Sequence, residues 1–470
     1  MTIARTVVAP SPTSAAGRDR AIDLVRVGCI AGVVVLHAMM VGVAVTDAGP
    51  AFVNASEGMA WIIPLSWLLQ VMPLFFVIGG FSGATALRRA RGRGRDGIDF
   101  VTARIHRLLL PALVTIGVAG ALLALLTAAG IPADLVALAG YRFAQPLWFL
   151  GVFLACQALL PALLRLHEAA PVRTIAALAA AAAAVDVVRG ATGIDAFGFV
   201  NLAFVWLALQ QLGFFLADGR IDALSRRTRI LWVAAALAAL ASTFVAGIHS
   251  PDLVANINPP TTALLLVGVV HTSSFSLLRE PIARVAARRT PARLIELATP
   301  RAMTVYLWHM PVLLCLAGLT AAGAIVTATA LPPIGGPVWW ITRPAWLVLA
   351  LAATAVVAWP LARVEAVGAP RGSRSAARVC VATASGVAAI AVLLVAGTTA
   401  LTAAAAAALL VTALRLARAP RSRSRVLRHA AHAPARVLAG VSEPPYVVEA
   451  GQRIAGSLVH PVQEVTPASP

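Results

Sequence analysis

One apolar run carries an arginine and, eleven residues later, a histidine: Ile22-Asp-Leu-Val-Arg26-Val-Gly-Cys-Ile-Ala-Gly-Val-Val-Val-Leu-His37. At about 100° per residue, eleven steps complete roughly three helical turns, so the two side chains share a face, about 16 Å apart along the axis. With Arg26 at a membrane surface, His37 falls near the middle of a hydrocarbon core about 30 Å thick. An ionisable group at that depth is costly and marks a functional site by default. Histidine is also the side chain best suited to move a proton near neutral pH. The structural alternative is that His37 bonds a neighbouring helix and Arg26 snorkels to the surface. Asp23, three residues before Arg26, is spaced to pair with it.

A second constellation is Arg104-Ile-His-Arg107, followed by Leu-Leu-Leu-Pro111. The two arginines are i,i+3 on one face and suit a phosphate group through bidentate charged hydrogen bonds. Its alternative is an ordinary basic flank of a membrane helix, which is how the upstream run Arg88 to Arg95 reads. Three further segments stand out. Pro73-Leu-Phe-Phe-Val-Ile-Gly-Gly-Phe81 reads as a close helix-packing stripe. Tyr306-Leu-Trp-His309-Met-Pro311 reads as packing or interfacial aromatics near the inner end of a span. Gln145-Pro-Leu-Trp148-Phe-Leu150 reads as an interface anchor at the outer end of another. His271 is a second candidate for a buried proton-active group. No histidine or cysteine spacing suggests a metal, and no phosphate-binding loop or Gly-x-Ser-x-Gly elbow is present.

These residues need membrane helices to position them. The 470 residues are 60% hydrophobic and 12% charged, with mean hydropathy +0.85, far more apolar than a soluble domain. Apolar runs long enough to span recur near 22–45, 59–87, 108–129, 147–164, 172–188, 197–217, 230–247, 261–278, 302–328 and 344–361. A final block, 379–414, is too long for one helix and is split by a turn at Gly397-Thr398-Thr399. The expected fold is therefore all-α: a polytopic bundle with a ten-helix core and a C-terminal two-helix hairpin.

All 38 basic residues are arginine. The net charge of +19 does not imply nucleic acid, because the arginines sit in loops between apolar runs. Placing the N-terminus inside puts nearly all of them on inner segments, and leaves only Arg142, Arg189 and Arg343 in outer loops. This obeys the positive-inside rule at each connection. Residues 1–21 then form a cytoplasmic N-terminus, 22–365 the core, 366–414 the extra hairpin, and 415–470 a basic, disordered cytoplasmic tail beside anionic lipid. The first run keeps its charged residues and shows no cleavage site, so it reads as a retained helix. Cys29, Cys156, Cys315 and Cys380 read as buried thiols.

In this order, the five segments resemble the integral-membrane acyltransferase 3 family, which includes O-acetyltransferases of bacterial surface polysaccharides. Its arginine, ten residues and histidine match Arg26 and His37. Its Arg-x-x-Arg before Leu-Leu-Pro matches Arg104, Arg107 and Pro111. Its Phe-Phe-Val-small-Ser-Gly-Phe segment appears as Phe75 to Phe81, with glycine where the serine usually stands. Its Trp-Phe-Leu and Tyr-Leu-Trp-His-x-Pro segments match Trp148 to Leu150 and Tyr306 to Pro311. The resemblance covers about residues 20–365 and implies an acyltransferase of the cell membrane. The expected reaction moves an acyl group, in the first instance acetyl, from cytoplasmic acyl-CoA to a hydroxyl of a cell-envelope glycan or other sugar-containing acceptor. Acyl-CoA is then a co-substrate, and no cofactor or metal is implied. His37 acts as general base or transient acyl carrier, Arg26 orients or polarises, and Arg104 with Arg107 hold the phosphates of CoA. The alternative from another class is a transporter or flippase, which also buries ionisable groups mid-membrane.

Overall fold

A computed structural model describes residues 19–47 and 49–419. The chain divides into two units, Met1–Pro420 and Arg421–Pro470. The second lies outside the described residues, as do most of the expected cytoplasmic N-terminus and basic tail.

The first unit is a helical bundle. It opens with α1 (Arg20–Met40), a hairpin of β1 (Val41–Thr46) and β2 (Gly49–Asn54), α2 (Ile62–Leu69), α3 (Met72–Arg91) and α4 (Gly97–Ala128). Next come α5 (Ala133–Ala144), α6 (Leu147–Ala169), α7 (Pro171–Thr192), α8 (Asn201–Ala217), α9 (Arg226–Val245) and α10 (Ala263–Ala286). It closes with α11 (Arg289–Ala298), α12 (Ala302–Val326), α13 (Pro337–Glu365), α14 (Ala376–Val395) and α15 (Ala400–Ala417). Among the described residues, 11 helical segments are long and apolar enough to cross a membrane, so the chain is a multi-pass membrane protein. The segment not among them is α10, whose centre carries His271, Thr272, Ser273 and Ser276.

Side-chain caps fix several helix starts. The Asp19 carboxylate accepts from the amides of Ala21 and Ile22 at the head of α1. Asp96 caps α4 and Ser225 caps α9 in the same way. The expected turn at 397–399 is present. Gly397 takes φ +76°, and Thr399 with Thr402 forms a capping box that starts α15.

Small residues set the closest helix contacts. A Cβ built on Gly80 of α3 would lie 2.1 Å from the Gln210 carbonyl oxygen of α8, and one on Gly213 would lie 2.0 Å from that of Val77. The two backbones therefore touch, as lipid-embedded helices do through glycine. The α14–α15 pair is built into the bundle by the same device, with Gly120 of α4 against Ala403, and Gly386 of α14 against Leu109 and Leu154. Its Ala382, Ala389, Ala406 and Leu410 join the main apolar core.

Four details differ from the sequence reading. The first helix stops at Met40, and residues 41–54 form an antiparallel hairpin with Val41 opposite Asn54 and Thr46 opposite Gly49. Alternating valines at 41, 43 and 45 favour extended backbone, yet they prolong the apolar run and so conceal the boundary. The span expected at 59–87 is interrupted at Gln70–Val71, between α2 and α3. The outer loop expected at 130–146 contains α5. Cys29 and Cys156 are buried, but Cys315 and Cys380 lie on exposed faces of their helices.

The early stop of α1 matters for the site. Ala38 packs with Met310 and Leu313 of α12 and Ala350 of α13, residues at the middle of those long helices. The end of α1 thus lies halfway along the bundle, and the β-hairpin continues beside α12.

Candidate functional site

The shared face read from the Arg26–His37 spacing is real in the structure. Arg26, Ile30, Val33, His37 and Met40 of α1 line one cavity of about 320 Å³, a volume typical of small-molecule sites. Arg104 and Arg107 of α4 line the same cavity. The four expected site residues are therefore brought together, with the arginines of α4 toward one end and His37 toward the other. We refer to these as the arginine end and the hairpin end.

Arg26 is held from two sides. It donates to Asp23 Oδ1 at 2.9 Å, the pairing expected from sequence, and to Ser82 Oγ of α3 at 2.6 Å. Ser82 is one of five α3 residues on the cavity wall, with Met72, Phe75, Ile78 and Gly79. These recur at helical spacing, so one face of α3 is cavity wall while Gly80 and Gly83 on another pack against α8 and α6. The segment expected only to pack thus does both. The usual serine is Gly79 or Gly80 in this chain, and Ser82 brings a hydroxyl to the cavity wall on the same helix.

His37 meets His309. His37 Nδ1 lies 3.0 Å from the Val33 carbonyl oxygen and 3.3 Å from His309 Nε2. His309 Nδ1 is hydrogen-bonded to the Tyr306 carbonyl oxygen. Carbonyl oxygens only accept, so both Nδ1 atoms carry protons. Neutral His309 then presents the Nε2 lone pair to His37 Nδ1–H, and the lone pair of His37 rests on Nε2. The imidazole of His37 is thus set in the tautomer that a general base requires. Tyr306 supports His309 by donating to the Pro146 carbonyl oxygen at 2.6 Å, which ties α12 to the start of α6. His309 is fully buried and sits beside His37 at mid-bundle, a role the packing reading of its segment did not foresee.

The walls between the ends are aromatic. Phe149 packs edge-on to Phe75 and Tyr306, each at 5.1 Å, and Phe76 stacks on Trp206 at 4.4 Å. Trp148 lines the cavity and lies 5.6 Å from Trp206. This corrects its reading as an interface anchor: the ring packs against Trp206 and Phe149 at the cavity wall. Gln157 is a buried polar group on the same wall.

At the arginine end, Arg104 lies 5.0 Å over the Phe100 ring and makes no ion pair among the described residues. Arg107 is 53% exposed and lies 4.0 Å from the buried carboxylate of Glu365. Glu365 Oε2 accepts from the Thr304 amide and hydroxyl, while Oε1 has no hydrogen bond among the described residues. Arg104, Arg107 and Arg26 against the carboxylates of Glu365 and Asp23 still leave net positive charge at the wall, which suits an anionic ligand. Sequence reasoning missed Glu365, which closes the last span and has no local partner at helical spacing. His271 does not line the cavity, and its buried Nδ1 has no hydrogen bond among the described residues. His167 is a buried residue of α6. It bridges Asp218 at 2.9 Å and Gln211 at 2.8 Å and has no place at the cavity.

A family model described as an acyltransferase domain, that of acyltransferase 3, matches residues 19–363. No curated protein and no solved structure matches the chain.

Proposed function

The chain belongs to the acyltransferase 3 family, and from that premise we propose that this membrane acyltransferase moves an acetyl group from acetyl-CoA to a sugar hydroxyl. One observation carries the reading: Arg104, Arg107, Arg26 and His37 line a single cavity that runs from a cationic end to the imidazole of His37 at mid-bundle. The phosphates of CoA bind Arg104 and Arg107. The thioester arm, a thin and largely apolar chain, lies along the aromatic walls. Its carbonyl reaches His37, with Arg26 beside its path.

The acceptor hydroxyl arrives from the hairpin end. His37 Nε2 takes its proton as the oxygen attacks the thioester carbonyl carbon. The C–S bond breaks, the sulfur leaves with the electron pair, and the imidazolium returns the proton to the CoA thiolate. The products are the ester and CoA–SH, so atoms and charge balance. Positive charge forming on His37 is met at Nδ1–H by His309 Nε2 and the Val33 carbonyl. The asymmetric distribution of arginines supports a cytoplasmic N-terminus and arginine end; the membrane is taken as the cell membrane and the acceptor as a glycan of the envelope.

Purified full-length protein incubated with labelled acetyl-CoA tests the reading. Label appearing on an added sugar, with none retained on the protein, supports the base mechanism. Label retained on His37 replaces it with an acyl-histidine. Movement of a sugar across proteoliposomes with no acyl transfer overturns both in favour of a transporter.

A further inference from the structure

We propose that a second cavity, at the hairpin end, is the acceptor subsite, and that it selects neutral or amine-bearing sugars over acidic ones. The proposal rests on the acyl-transfer reading and adds the class of acceptor. The second cavity is lined by Asn54, Ser56, Glu57 and Asp252, among other residues. It shares Met40 and Val254 with the cavity that holds His37. Those two side chains are the common wall between them. Met40 follows His37 by three residues on α1, so one helical turn, about 4.5 Å of axial rise, separates this wall from the base.

The polar groups of the second cavity are pre-set. Asn54 Oδ1 accepts from the amide and hydroxyl of Ser56, which leaves Asn54 Nδ2 to donate elsewhere. Asp252 Oδ1 accepts from the Val254 amide at 2.8 Å, which leaves Oδ2 free to accept. The loop that carries Asp252 and Val254 is pinned to α2. Leu253 accepts from Gln70 at 2.6 Å and donates to Ser66 at 2.9 Å, and the Pro251 carbonyl accepts from Trp67 at 3.0 Å. An amide donor beside carboxylate acceptors matches adjacent sugar hydroxyls, each of which gives one hydrogen bond and takes another. No arginine or histidine lines this cavity among the described residues. A uronate or phosphate would face Glu57 and Asp252 with no cation to offset them. The two ends of the path are thus sorted by charge, the anionic donor going to the arginines and the uncharged acceptor to the carboxylates.

The test uses purified full-length protein, acetyl-CoA, and three acceptors: methyl glucoside, methyl glucosaminide and methyl glucuronide. The wild type is expected to acetylate the first two and to discriminate against the glucuronide. The Glu57→Gln/Asp252→Asn variant is expected to raise the KM for methyl glucoside and to narrow the discrimination, by about tenfold for two partly exposed charges. Its KM for acetyl-CoA stays unchanged. Equal use of glucoside and glucuronide by the wild type, or an unchanged acceptor KM in the variant, overturns the subsite alone. So does binding of acetyl-CoA, read by calorimetry, without transfer to any of the three. Failure to bind acetyl-CoA overturns the acyl-transfer reading, and the subsite with it.

Discussion

The two ends of the reaction cavity are built in different ways. At the arginine end, Arg104 and Arg107 stand one turn apart on a single helix and remain partly solvated. The donor binding proposed for them asks only for charge at a fixed spacing, which α4 supplies by itself. At mid-bundle, His37 depends on His309, 272 residues away, and His309 depends on Tyr306 and on the start of α6. An electrostatic anchor can be local, whereas a base of defined tautomer must be assembled by tertiary packing. Losses at the first end should therefore be partial and confined to donor binding. Losses at the second should fall on turnover.

The largest effect should come from His37→Ala. Removal of a general base costs about 10²–10⁴ in rate, and kcat in the labelled acetyl transfer should fall by at least the lower figure while protein levels in the membrane stay normal. Near-normal turnover by that variant would remove the base from the mechanism. Next is the split within the arginine pair. Arg104→Ala should raise the KM for acetyl-CoA by about tenfold, the worth of a hydrogen bond to a charged group. Arg107→Ala should raise it by about threefold, because its more solvated guanidinium also faces Glu365. Equal effects, or a fall in kcat without a change in KM, would dissolve the contrast between the two ends.

His309 sharpens the comparison because it touches His37 without lining the cavity. As a positioning residue it should leave donor KM alone. His309→Phe should lower kcat by about tenfold, a fraction of what the base contributes. His309→Gln retains an acceptor for His37 Nδ1–H and should recover most of the loss. A purely structural role predicts the reverse order, since the phenyl ring suits an apolar interior better than an amide.

The same division explains what the sequence made legible. Arg26, Ile30, Val33 and His37 fall on one face by helical periodicity alone, and the Arg-x-x-Arg pair needs only its own helix. By contrast, the end of α1 was hidden because Val41, Val43 and Val45 extend its apolar run without a polar break. Trp148 looked like an interface residue because nothing local indicates that Trp206 of α8 packs beside it. Glu365 and Ser82 became site residues only through partners on other helices, Thr304 and Arg107 for the first and Arg26 for the second. Gly80 could be flagged as a packing residue, but its contact with the Gln210 backbone belongs to the crossing of α3 and α8.

The smallest effect concerns pH, and it too should separate the ends. Guanidinium groups keep their charge across the physiological range, so donor KM, measured with dephospho-acetyl-CoA to remove the phosphomonoester that titrates at about pH 6, should be flat between pH 8 and about 5.5. The hairpin end carries a titratable group in its scaffold. His249 follows α9 and accepts or donates at 3.1 Å to Thr262, whose amide and hydroxyl both bond Asp186. Burial lowers its affinity for a proton and Arg189 acts in the same direction, against the opposing pull of Asp186. A histidine whose folded value is depressed contributes stability above its unfolded value, near 6.5, and that contribution is lost as the pH falls below it. Thermal melts in detergent should be level from pH 8 to 7 and decline below about 6.5, with part of the decline absent in His249→Gln. Because Asp252 and Val254 lie on the same loop, acceptor KM should rise over that interval and donor KM should not. A parallel rise in both would mean that acid loosens the whole bundle, and the distinction between a local anchor and an assembled wall would fail on this measure.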